Sequence, residues 1–556
     1  MTSEAAQNIA AFLPEQARLR PDQVAVLHET PRGCERLTYA ELARKSNALA
    51  WGLAGCGIAQ GTRVLLMVPA GLPLLALGFA LFQVGAVPIL IDPAMGTQNI
   101  RQCIAEAAPE ALIGVPRAHL LRLAAPGALR HVRRWVTVGR YAAPGSLRLG
   151  ALESVGAGVA APYPTATVAA DDTAAIAFTT GSTGVPKGVL YEHSMLNAQC
   201  AVLREHYGIQ QGEVEMPVFP LFVLFNVAMG LTSAIPPIDP TRPAACDPAE
   251  VVSFIQRHRV TSSFGSPAIW AKVAAHCAER GERLPSLRRV MMAGAPVPAR
   301  LHAQMLPLLG EGGGTHTPYG ATEALPITSI GGREVLAAQA ERGPTAGACL
   351  GLPLPGMELR IIPIGEDALT SWTDVEPLPP EAVGEIVVCG PMVTRRYLAR
   401  PEANRLAKIA DGARVWHRMG DVGYLDAQGR LWFCGRKAHR VPTAGGTLFT
   451  EQVEPVFNQH PEVARTALVG LGGGALRTPA IVAEPRPGHF PRSRAERARL
   501  AHELLALGAS TPLTAGIRTV LFHPAFPVDV RHNAKIFRDR LAAWAERQRP
   551  LQEAGF

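Results

Sequence analysis

The stretch TTGSTGVPKGV, Thr179 to Val189, places three glycines, three threonines, one serine and one lysine in eleven residues. Apolar runs bracket it, AAIAF (Ala174 to Phe178) before and GVLY (Gly188 to Tyr191) after, and both read as strands. A strand, a glycine-hydroxyl loop and a second strand can hold backbone N–H groups, hydroxyls and one cation against phosphate oxygens. A Walker A loop would need Gly at Pro186 and Ser or Thr at Gly188, and Pro186 argues against a helix starting at Lys187. A flexible linker of the same composition is the plainer reading. Strands on both sides and a lysine at the end favour phosphate binding.

Working outward, 556 residues exceed one ordinary core, so two or more domains are expected. Apolar residues make up 48%, enough for a large interior. The formal charge is +8, yet the arginines are dispersed, without a long basic block or interleaved aromatics, and nucleic-acid binding is not expected. Only six of the 54 basic residues are lysine: Lys45, Lys187, Lys272, Lys408, Lys437 and Lys535. In a chain that nearly always uses arginine, each lysine is a candidate for a task that needs a compact ammonium. Nine scattered cysteines without a CxxC pair argue against a zinc site or disulfide framework and for a cytoplasmic location. The acid-bearing N-terminus does not read as a secretory signal. Val64 to Ile91 is uncharged and long enough to span a bilayer. However, it divides into VLLMV, a proline-bounded break, LLALGFALFQVG and AVPILI, which reads as a β-α-β unit rather than a transmembrane span.

Most of the chain alternates strand-like and helix-like segments, the pattern of parallel sheets covered by helices. Tyr141 to Asp172, rich in Ala, Gly and Pro, is expected to run over the surface. From Val383 short strands and turns take over, and a boundary is expected near Gly435 to Arg440, dividing 1–435 from 436–556.

Further clusters follow the loop: YGATE (Tyr319 to Glu323), WHRMGD (Trp416 to Asp421), GRKAHR (Gly435 to Arg440) and NAKIFR (Asn533 to Arg538). Taken alone, Asp421 is most often a turn residue and Lys535 a solvated helix lysine. In this order and spacing the set resembles the adenylate-forming superfamily of acyl-CoA synthetases, peptide-synthetase adenylation domains and luciferases, over nearly the whole chain. The resemblance implies an α/β fold: a large N-terminal domain of two α/β sheets plus a β-barrel, and a small mobile α+β C-terminal domain. It implies ATP and Mg²⁺. Thr179, Thr180, Gly181, Ser182, Thr183, Gly184 and Lys187 would cradle the β- and γ-phosphates. Thr322 would meet the α-phosphate, and Glu323 would hold the metal, as a hard cation prefers oxygen. Tyr319 and Gly320, with Gly294, Ala295 and Pro296, would receive adenine, and Asp421 with Arg436 the ribose. Lys535 matches the catalytic lysine of the mobile domain.

FPLFVLFN (Phe219 to Asn226) supplies Phe219, Phe222, Val223 and Phe225 as a candidate acyl wall, with Val223 where fatty acyl-CoA synthetases commonly carry histidine. Ala438, Pro442 and Ala534 replace residues that such synthetases use for domain rotation and thiol attack. GRKAHRV and HPAFPVDVRHNAKI (His523 to Ile536) resemble the β-lactone synthetases of olefin pathways. That implies adenylation of a long-chain 2-alkyl-3-hydroxy acid and closure by its own hydroxyl, without CoA, with other enzymes of the pathway as possible partners in a complex. His193 and His439 are candidates for the base. A long-chain fatty acyl-CoA synthetase is the alternative, and a scaffold without activity is a third reading.

Overall fold

The computed structural model describes residues 7–30, 33–92, 95–179, 186–219, 222–239, 242–528 and 536–548. Thr180, Gly181, Ser182, Thr183, Gly184 and Lys535 therefore lie outside the described residues.

One sheet has seven strands in the order Leu147–Arg148, Arg134–Thr137, Ala111–Gly114, Arg63–Met67, Val87–Leu90, Thr173–Thr179, Lys187–Glu192. All its pairs are parallel except the last, an antiparallel hairpin with Thr179 opposite Lys187. The uncharged 64–91 segment is the β-α-β unit expected: Leu72–Gln83 crosses between the two parallel strands. Among the described residues no helix is long and apolar enough to cross a membrane.

A second sheet begins with parallel strands, among them Val214–Pro217, Ser262–Gly265, Arg289–Met292 and Gly314–Ala321. It then continues through antiparallel strands to Leu431–Arg436, Arg414–Leu425 and Gly384–Cys389. The short strands expected as a barrel thus extend this sheet. The tail forms a separate sheet of Val463–Leu471, Thr478–Pro485 and Thr519–Phe522, with Thr450–Phe457, Arg494–Ala509 and Arg538–Glu546 as its helices. The whole is the mixed α/β architecture, with a large sheet body and a smaller C-terminal unit.

One expectation changes. The segment expected to cross the surface contains an edge strand and the helix Leu149–Ala157. This helix lies on Tyr39–Gly55, which Thr38 and Glu41 close with a capping box. Its glycines are the contact points. A Cβ on Gly156 would run into the carbonyl of Ala48, and one on Gly52 into that of Leu152. Glycine content that reads as loop in one dimension is close helix packing in three.

Beneath the candidate acyl wall sits a buried polar pin. Asn226, on helix Val223–Met229, donates through Nδ2 to Glu215 Oε2 (2.6 Å) and Ser233 Oγ (3.1 Å), and the Phe264 N–H donates to Glu215 Oε1 (2.9 Å). Burial pushes the Glu215 carboxyl up to about 8, against those hydrogen bonds and the charge of Arg289.

Two predictions follow from this packing. Gly156→Val should lower stability by about 1–3 kcal/mol, read as a lower urea midpoint at constant slope; an unchanged midpoint would show that the helices part freely. For Glu215 the folded pKa exceeds the unfolded one. Its contribution is complete below the unfolded value of 4.5 and is lost as pH rises through about 8. Unfolding free energies at pH 5 and pH 8 should therefore show the parent protein losing several kcal/mol relative to Glu215→Gln, and a pH-independent difference would refute this.

Candidate active site

Strand Gly314–Ala321 turns back into Ala324–Gly331, and the register slips between Tyr319 and Ala321. Gly320 fits this turn because a Cβ there would meet the carbonyl of Ala324. The turn sends the Tyr319 ring toward strand Arg414–Leu425, where its hydroxyl donates to Asp421 Oδ2 at 2.6 Å. Arg436 is the ladder partner of Asp421, and its Nη1 lies 2.9 Å from Oδ1. That contact is an ion pair without hydrogen-bond alignment, so the buried Oδ1 keeps unused accepting capacity. Burial raises the Asp421 carboxyl above its usual range, with Arg436 and Tyr319 opposing. Gly294, Ala295 and Pro296 follow Arg289–Met292, the parallel neighbour of the Tyr319 strand, so they reach the same C-terminal sheet edge. Gly294 has φ 89° and is exposed. Ligands of open α/β sheets bind at such edges.

Thr322 and Glu323 are fixed by three other residues. The Tyr191 hydroxyl donates to the Thr322 carbonyl (2.7 Å), and Thr394 donates to the Glu323 carbonyl through N–H (2.8 Å) and Oγ1 (3.0 Å). The Tyr397 hydroxyl donates to Glu323 Oε1 (2.8 Å). Two lysines sit over the Tyr397 ring, Lys187 Nζ at 4.8 Å and Lys408 Nζ at 5.4 Å from its centroid. Lys187 forms no ion pair among the described residues, which leaves its charge available to an anion. Lys408 donates to Thr394 O (2.5 Å) and Oγ1 (3.1 Å). Burial pulls its ammonium down to about 7, against the attraction of Glu323. His417 completes the group. Its ring meets Tyr397 edge-on at 6.4 Å, Nδ1 contacts the Ala407 carbonyl, and burial with nearby Lys408 holds its pKa well below the usual value.

The structure thus brings Lys187, Tyr319, Thr322, Glu323, Asp421 and Arg436 into one region. It adds Tyr397, Lys408 and Thr394, which the motif reading did not select. Lys408 carried a usable signal as one of six lysines, but no motif surrounds it. His193 stands apart. It begins helix His193–His206, six residues and roughly 20 Å beyond Lys187 along the strand, and its ring faces Phe82 at 6.2 Å. Burial pulls it to about 4, against Asp172, and Nδ1 has no partner. His439 lies in the turn Lys437–His439, directly after Arg436.

The aromatic wall assembles without Val223. Phe222 lies 4.3 Å from Phe264, 5.9 Å from Phe225 and 6.4 Å from Phe219, centroid to centroid. Val223 is fully buried in the core with Leu72, Leu75 and Val227. Adjacent residues on a helix face different ways, so the position that carries histidine in fatty acyl-CoA synthetases here serves packing. Phe264 is the wall residue that the sequence reading missed.

The chain after Arg436 is tied on both sides of the exposed Ala438. Lys437 Nζ pairs with buried Glu385 (3.2 Å) and donates to the Gly365 carbonyl (2.9 Å); Arg440 pairs with Glu366 (2.9 Å). Arg538, three residues beyond Lys535, is held by Glu454 through both guanidinium Nη atoms (2.5 and 2.9 Å).

The family model described as "AMP-binding enzyme" matches residues 13–398. An olefin beta-lactone synthetase of Xanthomonas campestris pv. campestris is 47% identical over 561 residues, 98% of this chain and 98% of that protein. One from Stenotrophomonas maltophilia is 48% identical over 554 residues, 97% of this chain and 98% of that protein. The solved structure of an amide bond synthetase from Marinactinospora thermotolerans matches with a TM-score of 0.77, covering 97% of this chain and 99% of that one at 23% identity, a likeness of fold. With the family model matching 13–398 and these relatives spanning its length, the chain belongs to the AMP-binding enzyme family, alongside the olefin beta-lactone synthetases.

Proposed function

We propose that this protein is an ATP-dependent, AMP-forming β-lactone synthetase acting on long-chain 2-alkyl-3-hydroxy acids. Full-length likeness to two olefin beta-lactone synthetases carries the reading. The geometry supports its first half. Asp421, with accepting capacity left at Oδ1, suits the ribose hydroxyls. Tyr319 with Gly294, Ala295 and Pro296 offers a face and an edge for adenine, and Lys187 offers a cation for the outer phosphates. Among the described residues Glu323 has only Tyr397 as a side-chain partner, which fits a carboxylate that holds Mg²⁺. Bound there, Mg²⁺ supplies charge neutralisation at the phosphates.

In the first step the acid's carboxylate oxygen attacks the α-phosphorus and pyrophosphate leaves. Two anions must meet, so fixed positive charge is the main requirement. Lys187 supplies part of it, and Lys535 supplies the remainder at the reacting carboxylate. In the second step the 3-hydroxyl oxygen attacks the acyl carbon, the bond to AMP breaks, and the hydroxyl proton is released as the four-membered ring closes. The nucleophile is already in the substrate, so orientation replaces a second substrate. The Phe219–Phe222–Phe225–Phe264 wall would hold the alkyl chains and fix that orientation. The histidine found in fatty acyl-CoA synthetases gives way to a packed Val223, and Ala438 stands at their hinge position. Both changes agree with a reaction that has no thiol step.

The purified protein with ATP, Mg²⁺ and a long 2-alkyl-3-hydroxy acid should form lactone and AMP in equal amounts without CoA. Lys187→Ala and Lys535→Ala should each lower the rate by roughly a hundredfold or more. AMP release that requires CoA and yields no lactone would overturn the assignment in favour of an acyl-CoA synthetase. Lys408→Met should raise the Mg²⁺ concentration needed for half-maximal ATP–pyrophosphate exchange by about 10–100-fold, because Lys408 fixes Thr394, which fixes Glu323. Lys408→Arg should not restore it. An unchanged Mg²⁺ titration would remove Lys408 from the support of Glu323.

A further inference from the structure

The segment from Ala111 to Leu152 contains seven arginines and no carboxylate, and so accounts for seven of the chain's formal +8. The arginines form no block; the absence of acids is what sets the segment apart. Its flanking carboxylates are already engaged. Glu106 pairs with Arg400 (2.7 Å), Glu153 with Lys45 (2.6 Å), and Glu110 accepts from the Arg63 N–H. Among the described residues none of the seven arginines forms an ion pair.

The same segment forms the outer edge of the seven-stranded sheet, where Leu147–Arg148 is the last strand. Four large apolar side chains stand in solvent there: Leu120 is 63%, Leu123 84%, Tyr141 72% and Leu147 47% exposed. They belong to one packed edge. Arg122 lies on the Trp135 ring at 3.8 Å and donates to the Pro144 carbonyl (2.5 Å), and Ser146 meets Thr137 (2.6 Å), so turn 139–146 is tied to the helical turns at 116–124. Of the ten large apolar side chains exposed among the described residues, six lie between Leu120 and Val159. Single exposed leucines need no explanation; a group of them on a segment with seven arginines and no carboxylate does.

We propose that this edge docks the protein on an anionic phospholipid bilayer. Exposed leucine and tyrosine side chains enter the headgroup boundary while the arginines meet lipid phosphates. Nucleic acid would use the charge but leave the leucines in water. A protein partner would need a matching acidic face; the chain's own acid-rich stretch, 361–394, has six carboxylates and no basic residue, but Glu366, Glu381 and Glu385 are already paired with Arg440, Arg342 and Arg418, which leaves a second copy little charge to offer. The inference stands independently of the proposed reaction, although an acid with two long alkyl groups is a substrate that partitions into membranes.

The test is cosedimentation of the full-length protein with vesicles of phosphatidylcholine containing 30% phosphatidylglycerol, compared with phosphatidylcholine alone. Binding to the anionic vesicles that weakens in 0.5 M salt is expected. Arg117→Gln/Arg130→Gln/Arg140→Gln should weaken it on the order of a hundredfold, and Leu123→Ser/Tyr141→Ser should weaken it at constant charge. Both variants should keep the parent rate of adenylation with dispersed substrate, which confirms folding. No binding to anionic vesicles, or binding that neither variant changes, would overturn the proposal. So would vesicle-independent self-association, or association with duplex DNA, that the variants abolish without any effect on vesicles.

Discussion

The buried carboxylate of Asp421 is the constraint around which the site is arranged. Moving a carboxylate out of water costs several kcal/mol unless partners replace its hydration. Here they come from two different strands: the Tyr319 hydroxyl from the end of the parallel run, and Arg436 from the antiparallel extension. The requirement to satisfy one charge therefore joins the two halves of the second sheet. The partners also leave one oxygen incompletely engaged. A group desolvated to hold the sheet together thus keeps accepting capacity. The order of effects at Asp421 fits this, since burial outweighs the opposing charge of Arg436.

A second charge arrangement lies across the Glu323 turn. Two ammonium groups occupy the space over one tyrosine ring, and that ring's hydroxyl holds the carboxylate. Like charges this close need separation or neutralisation. The structure supplies neutralisation: desolvation, reinforced by the charge of Lys187, moves Lys408 toward its neutral form, while Lys187 sits at the start of the hairpin's second strand. An arginine in place of Lys408 would have to fit a planar fork where a single nitrogen reaches both Thr394 oxygens. That accounts for a lysine here in a chain that otherwise uses arginine.

The elements most legible in the sequence are those whose signal is local. The strands around the Thr179 to Val189 stretch, the uncharged β-α-β unit, and the ordered motifs carrying Tyr319, Glu323, Asp421 and Arg436 all depend on short windows. What escaped depends on distant contacts. Gly156 reads as part of a surface run because the helix it lies against is about a hundred residues away. Val223 reads as a pocket residue because helical phase within FVLFN is not fixed until Asn226 finds Glu215. Lys408 and Tyr397 are anonymous in one dimension and become informative only once Thr394 and Glu323 stand between them. His193 shows the converse, a chemically suggestive residue that burial turns into packing.

The linker after Arg436 shows how strength and weakness can be divided within five residues. Lys437 is tied to Glu385, which is nearly fully buried and also held by Arg418 at 2.6 Å. Breaking that group would strand a charge in the interior, at a cost of several kcal/mol. Arg440 is tied to Glu366, whose side chain is 68% exposed, and an ion pair of that kind contributes about 0–1 kcal/mol. Ala438 lies between the two, exposed and with no polar side chain to engage. Any reorientation of the chain beyond this point therefore meets little resistance on the Arg440 side and a strong hold on the Lys437 side. The bend would fall at Ala438, and Arg436 would keep its place against Asp421.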